Sequence, residues 1–90
     1  MINQLFETIK QRQKMNPEGS YTASLFASGE DEILKKVGEE AVEVILAAKV
    51  QGNARLVEEI ADLTYHTLVL LASRGLTPAD IAAELEKRKK

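Results

Sequence analysis

Carboxylates dominate the chemistry available to this chain. Nine of its fourteen acidic residues lie between Glu30 and Asp62: Glu30, Asp31, Glu32, Glu39, Glu40, Glu43, Glu58, Glu59 and Asp62. Two runs among them have ligand-like spacing, Glu39-Glu40-x-x-Glu43 and Glu59-x-x-Asp62. No Lys or Arg falls between Glu39 and Ala48, or between Glu58 and Leu71. A solvated acidic helix face normally places bases one turn away to offset like charges. Carboxylates gathered without bases are unfavourable unless a cation neutralises them, and carboxylate-only ligation suits a hard ion such as Mg²⁺ or Mn²⁺. A di-iron bundle would need Glu-x-x-His pairs on two helices. The single histidine, His66, does not stand three residues after a glutamate, so that chemistry is excluded. With no cysteine, disulfides, thiolate zinc sites and cysteine nucleophiles are excluded too.

Helices must position these acids. Four are predicted, and the fold class is all-α. The first runs from about Asn3 to Met15 and is broken by Asn16-Pro17-Glu18-Gly19-Ser20. Residues Ser20 to Ser28 have no clean period and read as an ordered loop. The second helix starts near Ser28, with Ser28 as cap and Asp31 at the reciprocal position, and continues to about Val50 before Gly52. The third is capped by Asn53 and runs to Arg74, with Gly75 as a left-handed terminator. The fourth starts at Thr77, with Pro78 in its first turn and Asp80 at the capping-box position. The second and third helices are each roughly 20 residues, or ~30 Å. Their short connection forces an antiparallel hairpin.

At about 100° per residue, Ile33, Leu34, Val37, Ala41, Val44, Ile45 and Ala48 form the core-facing sector of the second helix. Glu40 lies about 20° beyond its edge and Glu43 about 60° further round. On the third helix, Leu56, Ile60, Leu63, Thr67, Leu70 and Leu71 make the main apolar face, while Glu59, Asp62 and His66 share an adjoining stripe. In the hairpin both acidic stripes flank one seam, so Glu40, Glu43, Glu59 and Asp62 can converge.

Composition sets outer bounds. Ninety residues form a single domain, residues 1–90, which buries only about 60–65% of its unfolded surface. A chain so small and without disulfides needs a metal or a partner chain for support. The net charge of −2 argues against nucleic-acid binding, and the closing Lys87-Arg88-Lys89-Lys90 reads most simply as a solvated helix end. There is no apolar run of transmembrane length and no basic-then-apolar leader at the amino terminus, so no membrane partner and a cytoplasmic location are expected.

Glu39-Glu40-Ala41-Val42-Glu43 followed by Glu59-Ile60-Ala61-Asp62 resembles the E-E-x-x-E … E-x-x-D signature of the MazG-like all-α nucleotide pyrophosphatase superfamily. Pro17-Glu18-Gly19-Ser20-Tyr21-Thr22, Leu25-Phe26, Gly29, Lys36-Val37-Gly38-Glu39-Glu40-Ala41 and Ala61-Asp62-Leu63-Thr64-Tyr65-His66 sharpen the match. With Arg74-Gly75-Leu76-Thr77 and Leu85-Glu86-Lys87-Arg88, the chain is similar over nearly its whole length to the phosphoribosyl-ATP pyrophosphohydrolase family of histidine biosynthesis. The resemblance implies cleavage of the α–β phosphoanhydride of phosphoribosyl-ATP, giving phosphoribosyl-AMP and pyrophosphate. It implies Mg²⁺ held by Glu40, Glu43, Glu59 and Asp62. Glu39 would be the base that activates water or a group that orients a ligand. The cyclohydrolase domain often fused to this activity uses cysteine-rich zinc chemistry, so a stand-alone hydrolase is expected.

Several residues carry two readings. Lys36 suits either a substrate phosphate or an intrahelical ion pair with Glu40, and Lys35 the ion pair. His66 suits either substrate contact and carboxylate orientation or packing. Ser20, Tyr21 and Thr22 suit ribose or phosphate hydrogen bonds, or capping and turn roles. Tyr65 reads as a core or interface residue, and Gly38 as a point of close approach by a helix or ligand. Val42 and Leu46, with Val69, form further apolar strips that suggest a homodimer completing a four-helix core. Two rival functions stay open: a related pyrophosphatase acting on (deoxy)nucleoside triphosphates, and a non-catalytic helical dimer.

Overall fold

Asn16 ends the first helix by turning left-handed (φ 48°), its N–H bonding to Arg12 O at 2.9 Å. This helix, α1 (Ile2–Met15), is as expected. The computed structural model describes residues 1–89, so of the basic tail Lys90 lies outside the described residues. No helix among them is long and apolar enough to cross a membrane.

The stretch read as a loop is helical. Helix α2 (Tyr21–Ser28) is capped by Ser20, whose Oγ accepts from the Ala23 N–H at 3.1 Å. Two turns are too short to display a period; the cap and the burial of Ala23 and Leu25 help to hold them. A single residue, Gly29 (φ 96°), then separates α2 from α3 (Glu30–Leu46). Ser28 therefore ends α2 and caps nothing. The first turn of α3 has no side-chain cap, and Glu30, Asp31 and Glu32 instead complement its dipole.

The helix widens into a π-helical turn, Ala47–Gln51, and Gly52 (φ 89°) reverses the chain. Helix α4 (Asn53–Ser73) follows, with Asn53 its first helical residue rather than its cap. Its far end closes as a Schellman motif: Leu76 N–H bonds to Leu71 O at 2.9 Å and Gly75 N–H to Ala72 O at 3.1 Å. Gly75 adopts φ 71°, as expected of a left-handed terminator. Helix α5 (Pro78–Lys87) starts at the capping box, with the Asp80 carboxylate accepting from Thr77 N–H at 2.8 Å. Among the described residues the architecture is all-α, with five helices rather than four and the α3–α4 hairpin as its most extensive contact.

The core gathers at one end of that hairpin: Phe6 and Ile9 from α1, Leu25 from α2, Ile33 from α3, and Leu68, Val69, Leu71 and Ala72 from α4. Two expected faces differ. On α3 only Ile33 is buried, and Leu34 and Ile45 of the predicted sector are exposed. On α4 the buried face is rotated toward the acidic stripe and includes Glu59 and His66, while Ile60 and Thr67 face outward. Val69, expected at a partner surface, is 0% exposed. Periodicity reveals that a helix has two apolar stripes, but which one meets α1 depends on where α1 docks.

Candidate metal and substrate site

Three of the four predicted ligands come together. Glu40 of α3 and Glu59 and Asp62 of α4 each offer an oxygen, and these oxygens lie within 4.8 Å of one another. Glu59 and Asp62 are one turn apart on α4, and the hairpin sets Glu40 opposite them. Glu59 is buried and Glu40 half-buried. The Glu40 Oε2 is buried and has no hydrogen-bond partner among the described residues. Burial, and then the neighbouring Glu59 and Asp62 carboxylates, push the Glu40 carboxyl above its ordinary range, with His66 opposing them. A buried carboxylate oxygen without a donor costs free energy that a cation would relieve. The donor set, all carboxylate and partly open to solvent, fits a hard divalent ion that keeps positions for water or phosphate. Glu43, half-buried on the next turn of α3, is not among the three.

Glu39 lies on the exposed side of α3 and pairs with Lys36, Nζ to Oε1 at 3.5 Å. Lys36 thus makes its intrahelical ion pair with Glu39, not with Glu40. Lys35 is exposed. Gly38 is exposed, and a side chain there would meet nothing within 4 Å. No neighbouring helix of this chain explains it.

His66 is held from both sides. Its Nδ1 lies 2.8 Å from the backbone carbonyl of Asp62, which can only accept, so Nδ1 carries the proton. In the neutral ring Nε2 is then the acceptor, and the Tyr21 hydroxyl donates to it across 2.9 Å. Burial pushes the Tyr21 phenol up, which keeps that proton in place. The next residue pair repeats the link, since Thr22 Oγ1 and the Tyr65 hydroxyl share a hydrogen bond. The two tyrosine rings stack with centroids 6.3 Å apart, and the His66 ring stands edge-on to both. Consecutive residues of α2 are thereby fastened to consecutive residues of α4 immediately after the metal-binding candidates. Ser20 serves as the α2 cap.

Sequence reasoning missed one charged participant. Arg55, in the first turn of α4, pairs with Glu58 and with Glu59. Its i+3 and i+4 spacing to these acids was readable, but it lies outside the base-free window that begins at Glu58. A second missed pair ties the hairpin's other end, where Arg74 grips Glu30 through both guanidinium and carboxylate groups.

The model of the family described as phosphoribosyl-ATP pyrophosphohydrolase matches residues 2–89. The chain belongs to this family. Relatives named phosphoribosyl-ATP pyrophosphatase agree along almost their full length. One from Pelotomaculum thermopropionicum is 58% identical over 89 residues, spanning 99% of this chain and 91% of the relative. One from Listeria welshimeri is 56% identical, spanning 98% of this chain and 84% of the relative. One from Pyrobaculum neutrophilum is 55% identical, spanning 98% and 94%. Family membership and the all-α hairpin agree with the expectation drawn from the acidic signature.

Proposed function

We propose that this chain hydrolyses the α–β phosphoanhydride of phosphoribosyl-ATP, releasing pyrophosphate and phosphoribosyl-AMP in histidine biosynthesis, with Mg²⁺ as cofactor. The observation that carries the reading is the three-carboxylate group of Glu40, Glu59 and Asp62, with its partnerless buried oxygen, in a chain of this family. Mn²⁺ is an alternative ion for the same ligands.

Glu40, Glu59 and Asp62 would hold the metal, and Glu43 is the fourth candidate ligand. When bound, the ion supplies charge neutralisation and Lewis-acid polarisation at the phosphate oxygens. The chain's own residues do the rest. Glu39 accepts the proton of the attacking water, and Lys36 beside it offers a cation to a substrate phosphate. The Tyr21–His66 and Thr22–Tyr65 links fix α2 against α4, so that Ser20, Tyr21 and Thr22 border the site on a rigid edge. His66, with both ring nitrogens engaged, positions Tyr21 and the Asp62 backbone.

We further propose that the chain is one domain over residues 1–90, works as a cytoplasmic homodimer, and binds neither nucleic acid nor membrane. Support for the dimer comes from exposed apolar side chains along the hairpin: Leu34, Val42, Ile45, Leu46, Val57 and Ile60. A further apolar groove of about 440 Å³ lies among α1, α4 and α5, and its lining includes none of the candidate site residues. A second copy would cover the hairpin surface and complete a four-helix core.

Pyrophosphate release with Mg²⁺ from phosphoribosyl-ATP, set against a panel of deoxynucleoside triphosphates, tests the function. Release from phosphoribosyl-ATP is expected. Release from the triphosphates alone would assign the chain to another pyrophosphatase, and none from a folded protein would sink the catalytic reading.

A further inference from the structure

Among the described residues, one cation reaches the carboxylate group. The Arg55 guanidinium forks, one nitrogen going to the exposed Glu58 and the other to Glu59 Oε1 at 2.5 Å. Glu59 is the buried member of the group, its side chain 7% exposed, whereas that of Arg55 is 45% exposed. We infer that Arg55 is a built-in counter-ion that competes with the divalent cation for Glu59 and so sets the affinity of the metal site. The inference rests on the metal reading given above.

Three features support it. Glu40, Glu59 and Asp62 gather negative charge that the fold must offset, and the guanidinium offsets part of it. A guanidinium and a divalent cation sharing one carboxylate also repel each other, so each weakens the other's hold. Finally, Arg55 has somewhere to go. Glu58 lies on the same side one residue earlier, is exposed, and already holds the other nitrogen. The side chain can therefore leave Glu59 without losing its last partner. A lysine in that position would carry the charge but could not fork between both acids.

The test is calorimetric titration of Mn²⁺ alone into the full chain and three variants, with circular dichroism to check folding. Arg55→Gln should bind Mn²⁺ about two- to fivefold more tightly, the range of a partly exposed ion pair. Arg55→Lys keeps the charge but loses the fork, so its affinity should fall between those of wild type and Arg55→Gln. Lys14→Gln removes one positive charge from α1, where Lys14 has no ion pair among the described residues, and should leave affinity unchanged. The metal-free thermal midpoint of Arg55→Gln should fall, while the midpoint shift on adding Mn²⁺ should grow. Equal or weaker binding by Arg55→Gln, or equal tightening by Lys14→Gln, would overturn the inference while leaving the metal site standing. Absence of Mn²⁺ binding by the folded wild type would remove the metal reading and the inference with it.

Discussion

The Tyr21 hydroxyl donates to His66 Nε2 at 2.9 Å, joining the first residue of α2 to the buried ring on α4. This bond fastens a two-turn helix that has little intrinsic stability. In Tyr21→Phe a buried ring nitrogen loses its donor, at a cost of about 1–3 kcal/mol. Urea unfolding should show a lower midpoint with an unchanged slope, and KM for phosphoribosyl-ATP should rise. An unaltered midpoint would show that the link holds nothing.

Glu40 makes stability depend on pH in a definite direction. Its folded-state carboxyl is raised above the ordinary value of 4.5, so the folded chain binds this proton more tightly than the unfolded chain. The metal-free protein therefore loses stability as pH rises from the ordinary carboxylate range through the raised value. Glu40→Gln should flatten that decline and stop turnover. Thermal unfolding of metal-free protein across pH, for both chains, checks the sign.

For Glu43, which lies outside the three-carboxylate group, the expected result of Glu43→Gln is loss of pyrophosphate release with circular dichroism unchanged. Retained activity would remove Glu43 from the ligand set and leave three protein carboxylates to hold the ion.

The exposed hairpin face predicts assembly. Ile45 is 60% exposed on α3, and Ile45→Asp would place a charge in the proposed dimer interface. Sedimentation equilibrium should find the wild type dimeric and the variant shifted toward monomer. A wild type that sediments as a monomer would leave the apolar face without this explanation.

Local chemistry was legible because it depends on near neighbours. Gly75 closing α4, the Thr77–Asp80 box opening α5, and the one-turn spacing of Glu59 and Asp62 all involve residues a few positions apart. Glu40 meeting Glu59 was also readable, since a one-glycine reversal between two long helices leaves few ways to pack them. Helix α2 escaped because two turns show no period, and its stabilising partners, Tyr65 and His66, lie over forty positions away. The sequence alone determined the acidic hairpin and the all-α class. Only the tertiary structure decided which stripe of α4 turns inward, that Val69 is core, and that Arg55 reaches Glu59. Those outcomes depend on how α1 and α2 dock and on which rotamers the packed side chains take, and neither is encoded in spacing along one helix.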